Sequence, residues 1–137
     1  MKVFFDTNVY VADAIGGKAA RETLYATWKS RWRIYASDYV LHETAHALTD
    51  YFGFSRRLAR VVTTRIRSHS TRIREYGSAV VVDDPKDSPI LQGALAAKAD
   101  YLVSNDRHLL GLDPFESLRI ISIHAYRQLL REHGLLA

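Results

Sequence analysis

The sequence contains no cysteine, which removes a disulfide framework and any cysteine-ligated zinc site from consideration. That absence agrees with a reducing compartment, and a cytoplasmic location is the expectation. No apolar run approaches the roughly 20 residues needed to span a bilayer, so no membrane partner is expected. The amino terminus, Met1-Lys2-Val3-Phe4-Phe5, runs straight into Asp6-Thr7-Asn8 and lacks the apolar core of a signal peptide. It reads as the first strand of a complete protein. There is no internal repeat, low-complexity tract or linker, so residues 1–137 are expected to form a single domain. Acids are missing from one stretch in particular. Between Ser55 and Arg74 lie Arg56, Arg57, Arg60, Arg65, Arg67, Arg72 and Arg74 without an aspartate or glutamate among them. Removing those seven charges from the formal total of +4 leaves the rest of the chain at −3. A near-neutral to acidic body thus carries one basic segment. Such a segment can be a solvated helix face or a contact for phosphates.

What is present is an ordinary globular composition, 47% hydrophobic and 25% charged. Residues 2–5 read as a short buried strand, 18–31 as a helix with Leu24 and Trp28 on one side, and Ile34-Tyr35-Ala36 as a second strand. Ser37 or Asp38 can cap a helix running to about Phe52 and stopped by Gly53. Ser55 caps a longer helix in which Leu58, Val62, Ile66, His69, Ile73 and Tyr76 repeat at helical spacing, closed by Gly77. Val80-Val81-Val82 is expected as a third strand. Ser88-Pro89 opens a helix over Ile90 to Ala99, because proline is well placed in a first turn. A strand at 101–104, a short helix around Leu109-Leu110, a strand at 119–123 and a terminal helix complete the pattern. Strands alternating with helices predict parallel pairing and right-handed crossovers. The fold class expected is α/β, a three-layer α/β/α sandwich around a mainly parallel sheet.

Four carboxylates stand out in that frame. Asp6 and Asp106 each follow an apolar strand, which is where open α/β sheets place their ligands. Glu43 falls at the edge of the broad apolar face of its helix, formed by Val40, Leu41, Thr44, Ala45, Leu48, Tyr51 and Phe52. Asp87 precedes a helix start, where the helix end favours an anion. Asp84, two residues before Lys86, competes with Asp87 for the same role. Thr7, Asn8 and Ser104 are placed to orient these acids or a ligand. Each acid also has a plain structural alternative: Asp6 and Asp106 are good helix N-caps, and Asp84 and Asp87 are good turn residues. Acids gathered at one sheet edge repel one another unless a cation lies between them. An all-oxygen set suits Mg²⁺ or Mn²⁺.

Read in order, these segments resemble the PIN-domain family of metal-dependent ribonucleases. Val3-Phe4-Phe5-Asp6-Thr7-Asn8 is similar to that family's first motif and Ser37 through Glu43 to its second. Asp84-Pro85-Lys86-Asp87 through Ser104-Asn105-Asp106-Arg107-His108-Leu109-Leu110 resembles its third and fourth joined. The resemblance implies a PIN-like fold and Mg²⁺ or Mn²⁺ held by Asp6, Glu43, Asp87 and Asp106 as metal ligands and catalytic residues, with Asn8 and Ser104 in support. It also implies an RNA substrate. The small size further resembles the VapC-type toxins, implying a homodimer and a small antitoxin protein as partner. Arg56, Arg57, Arg60 and Arg107 are the expected contacts to the RNA backbone.

A competing pattern is His42-Glu43-Thr44-Ala45-His46, which matches the H-E-x-x-H zinc-peptidase signature. Helical geometry projects His42 and His46 away from the apolar face, and no third ligand has a recognisable spacing. A third possibility is a PIN-like module that binds RNA or protein without turning it over.

Overall fold

The computed structural model describes residues 1–73, 85 and 87–137. Its elements alternate as β1 (Lys2–Phe5), α1 (Thr7–Ala14), α2 (Lys18–Lys29), β2 (Arg33–Ser37), α3 (Asp38–Phe52), α4 (Arg56–Ser68), β3 (Thr71–Ile73), α5 (Asp87–Ala96), β4 (Tyr101–Val103), α6 (Arg107–Leu110), β5 (Arg119–Ile121) and α7 (Ile123–Glu132). The five strands form one sheet in the order β3-β2-β1-β4-β5, and every pairing is parallel. Val3, Phe4 and Phe5 of the central strand are wholly buried, as a strand covered on both faces must be.

Alternation along β1 distributes the helices. Phe5 meets Tyr10 of α1 and Tyr126 of α7 edge-on, with ring centroids 5.9 and 5.5 Å apart. Phe4 points the other way, towards Gly93 of α5, where an added Cβ would lie 2.9 Å from the end of the phenyl ring. Helices therefore cover both faces, and the fold is the PIN-like α/β/α sandwich. Burying each of these phenyl groups contributes roughly 1.5–3 kcal/mol to folding.

Local chemistry sets the helix ends. Ser37 accepts the N–H of Val40 and caps α3, while Gly53 at φ 70° ends it. Ser55 caps α4 through Leu58 N–H, and Ser122 caps α7 through Ala125 N–H. No helix among the described residues is long and apolar enough to cross a membrane.

Several expectations need correction. The basic helix stops at Ser68 instead of running to Tyr76. Ser68 and Ser70 return their hydroxyls to the carbonyls of Arg65 and Ile66, ending the turn. Thr71-Arg72-Ile73 then joins the sheet as β3 beside β2. The apolar period through His69 and Ile73 was accidental. Helix α2 ends at Lys29, which leaves Trp32 beyond it, and α5 ends at Ala96. Strand β5 ends at Ile121 because Ser122 and Ile123 begin α7. Tyr51 and Phe52, expected on a buried face, are 75% and 47% exposed. Periodicity says which residues share a face, but not whether a neighbour covers it. The expected strand at Val80–Val82 and the alternative acid Asp84 lie outside the described residues.

Candidate active site

The order in which strands are laid down reverses at β1, since β2 and β3 lie on one side of it and β4 and β5 on the other. The carboxyl ends of β1 and β4 flank that switch point, where α/β sheets form a crevice. A cavity of about 140 Å³ opens there, lined by Asp6, Thr7, Tyr39, Glu43, Asp87, Ile90, Asp106 and Leu109. The four acids come from four places: the end of β1, the second turn of α3, the start of α5 and the turn after β4. Among the described residues, no lysine, arginine or histidine lines it.

Asp6 is held from several sides. Its backbone N–H continues the β1–β4 ladder to Val103 O at 3.0 Å. Its Oδ1 accepts the N–H of Thr7 at 2.7 Å, and its Oδ2 accepts the Ser104 hydroxyl at 2.7 Å. The Ser104 oxygen in turn accepts the N–H of Asp106 at 3.0 Å, so one wholly buried hydroxyl ties the two strand-end acids together. Asp106 Oδ1 accepts the N–H of His108 at 2.8 Å, and among the described residues its Oδ2 has no hydrogen-bond donor. Asp6 and Asp106 thus cap α1 and α6 while also facing the cavity. The structural and functional readings of these residues were never exclusive.

Burial raises the Asp6 carboxyl above its ordinary range, and the Asp106 charge adds to the rise. Hydrogen bonds from Ser104 and Thr7 oppose it. Asp87 is 4% exposed, in the first turn of α5, while Glu43 is only partly buried at the rim. Among the described residues no three histidine, aspartate or glutamate side chains are drawn together to grip a metal ion.

The supporting residues divide. Ser104 and Thr7 belong to the site, and Thr7 Oγ1 is buried with no hydrogen-bond partner among the described residues. Asn8 is exposed and does not line it. Asn105 has a structural task, accepting the N–H of Ile123 at 3.1 Å and so fastening the start of α7. Tyr39 also lines the cavity and escaped the sequence reading, although its position four residues before Glu43 puts both on one helix face.

The basic residues divide as well. Arg107 is exposed beside Asp106. Arg56 and Arg60 line a groove between α3 and α4, whereas Arg57 is exposed elsewhere on α4. Arg72 pairs with Asp38, and Arg65 sits over the Trp28 ring at 4.9 Å. His42 and His46 are exposed and line the same α3–α4 groove, while Glu43 faces the acidic cavity. The two imidazoles and the glutamate of the H-E-x-x-H pattern therefore serve different surfaces.

Comparison with known proteins agrees with this geometry. The chain is similar to one in the crystal structure of VapBC2 from Rickettsia felis bound to a DNA fragment from their promoter. The TM-score is 0.65 at 17% identity, and the match covers 89% of this chain and 98% of the other. No curated protein matches the sequence. The family model described as PIN domain matches residues 2–108, which carry β1 and all four acids, and the chain belongs to the PIN-domain family.

Proposed function

We propose that residues 1–137 form a Mg²⁺- or Mn²⁺-dependent endoribonuclease domain, and that it is the toxin component of a toxin–antitoxin pair. One observation carries the reading: four carboxylates from separate elements line one cavity at the switch point, with no cationic side chain among the described lining residues. Such a donor set fits a hard divalent cation. The rise in the Asp6 pKa, to which Asp106 contributes, supports the same fit, because a cation would relieve it.

Asp6, Glu43, Asp87 and Asp106 would hold the ion. When bound, it supplies Lewis acidity towards the scissile phosphate and the attacking water. Ser104 fixes the direction of Asp6 and couples it to the Asp106 backbone. The Thr7 N–H holds the other Asp6 oxygen in place. Glu43, at the rim of the cavity, would accept a proton from the water. Arg56, Arg57, Arg60 and Arg107 hold the RNA backbone. Likeness to the VapBC2 structure supports a small antitoxin as partner, and the assembly proposed with it is a homodimer.

The test is incubation of the purified protein with total RNA and Mn²⁺, mapping new ends. Cleavage lost to EDTA supports the reading. Cleavage of peptides with bound zinc, or RNA binding without cleavage under any divalent ion, contradicts it.

A further inference from the structure

The groove between α3 and α4 has a volume of about 710 Å³ and is lined by His42 and His46 on one wall and Arg56, Arg60 and Arg67 on the other. At 100° per residue the three arginines fall within about 40° of one another, forming one stripe along α4. The stripe is about 16 Å long at 1.5 Å per residue. The two histidines stand one turn apart on α3. No described carboxylate pairs with Arg56, Arg60 or Arg67. Asp50, on the same helix, is engaged by His46 at 3.3 Å.

This charge pattern excludes the metal reading of the two histidines, since three guanidiniums opposite would repel a cation. It suits an anion. Five donors strung along a trough match a series of phosphates better than a single one, which would be gripped by donors converging on a point. Tyr51, 75% exposed, lies edge-on to the His46 ring at 6.2 Å and offers a free aromatic face at the same helix end. Aromatic faces interleaved with basic groups bind single-stranded nucleic acid, where bases stack and phosphates pair. An acidic peptide would use the charges but not the ring. Helix α3 also carries Glu43 on its adjacent face, so one helix wall separates this groove from the acidic cavity.

We propose that the α3–α4 groove is the track that binds the RNA strand beside the acidic cavity, with His42, His46, Arg56, Arg60 and Arg67 contacting phosphates and Tyr51 stacking on a base. This rests on the ribonuclease reading. It adds both histidines, Arg67 and Tyr51 to the substrate contacts.

The test uses full-length Asp6→Asn protein and a fluorescein-labelled single-stranded RNA of 12 nucleotides, followed by anisotropy over a range of salt concentrations. Arg60→Ala/Arg67→Ala should weaken binding by about tenfold or more and flatten the log–log salt slope by about 1.4, at about 0.7 per phosphate contact for single strands. His42→Gln/His46→Gln and Tyr51→Ala should each weaken binding several-fold, Tyr51→Ala leaving the slope unchanged. Arg131→Ala, an exposed arginine on α7, is the control. All the residues substituted in this parent lie at the surface, and unchanged circular dichroism and melting temperature establish that the variants fold. Affinity and slope in the groove variants equal to those of Arg131→Ala overturn the proposal. If the wild type still cleaves RNA in that case, the nuclease reading survives without the track. Absence of RNA binding in the parent, with no cleavage by the wild type, overturns both. Loss of labelled poly-glutamate binding in the same variants, with RNA binding intact, assigns the groove to an acidic protein segment and also overturns the proposal.

Discussion

Ser104 donates its hydroxyl hydrogen to Asp6 Oδ2 at 2.7 Å, joining two residues 98 positions apart in the chain. The bond is buried, and it links the ends of neighbouring parallel strands, β1 and β4. Replacement by alanine leaves a buried carboxylate with one donor fewer, at a cost of roughly 1.5–3 kcal/mol. The Asp6 pKa should rise further, because that hydrogen bond now lowers it. Ser104→Ala is therefore expected to move the acid limb of the pH–rate profile upwards as well as lowering the melting temperature. A variant with reduced stability but an unmoved acid limb would make Ser104 a packing residue only.

Asp6→Asn should have opposite effects on activity and on the stability of the metal-free protein. The folded-state pKa of Asp6 is raised, so the folded protein holds this proton more tightly than the unfolded chain. Its contribution to stability is present in full below the ordinary carboxylate range and is lost as pH rises through the elevated value. At neutral pH the buried charge is a cost that asparagine removes. The variant should melt a few degrees higher in EDTA at pH 7, by about 2–4 °C per kcal/mol for a domain near this size. A lower melting temperature would show that the carboxylate is satisfied without a cation.

Asp113 has the reverse sign. Hydrogen bonds from Arg119 and from the Ile120 backbone hold its carboxyl below the ordinary range. Its contribution is present above the ordinary carboxylate value and lost as pH falls through the depressed one. Asp113→Asn is expected to narrow the stability difference between neutral and acid pH in denaturant titrations. An unchanged difference would exclude this residue from acid unfolding.

Divalent cations should stabilise the wild type through the same acids. A ligand at 100 times its dissociation constant adds about 2.7 kcal/mol to the folded state. Mn²⁺ should raise the melting temperature of the wild type and do so much less for Asp6→Asn or Asp106→Asn. Equal shifts in all three would place the ion elsewhere.

Gly93 controls how closely α5 approaches the sheet. A Cβ there would meet the Phe4 ring at 2.9 and 3.1 Å and Ser37 Cβ at 3.1 Å. Phe4 is wholly buried and cannot move aside cheaply. Gly93→Ala should cost about 1–3 kcal/mol in chemical denaturation. It should also reduce cleavage, because α5 carries Asp87. Full stability with alanine would show that the helix can lift without loss.

Much of this was legible in the chain because strands announce themselves by short apolar runs and helix starts by hydroxyl caps. Val3-Phe4-Phe5, Tyr101-Leu102-Val103, Ser37 and Ser55 all act locally, and local chemistry survives translation into a one-dimensional reading. The α/β class followed from their alternation. Strand β3 was missed because Thr71-Arg72-Ile73 continues a helical period, and only the free edge of β2 selects it as a strand. Tyr39 was overlooked because a tyrosine one turn from Glu43 looks like packing until a cavity is seen beside it. The α3–α4 groove was invisible because His42 and Arg60 share no periodicity; they meet only when Gly53 turns the chain back.

Single-turnover cleavage of one defined RNA, with Mn²⁺, by Asp6→Asn, Glu43→Gln, Asp87→Asn and Asp106→Asn beside the wild type tests whether the four acids act as one unit. Each substitution should slow cutting by about 100-fold or more, and pairs should cost little beyond the larger single effect. Asp6→Asn cutting at the wild-type rate, or effects that multiply as independent losses would, contradicts the account.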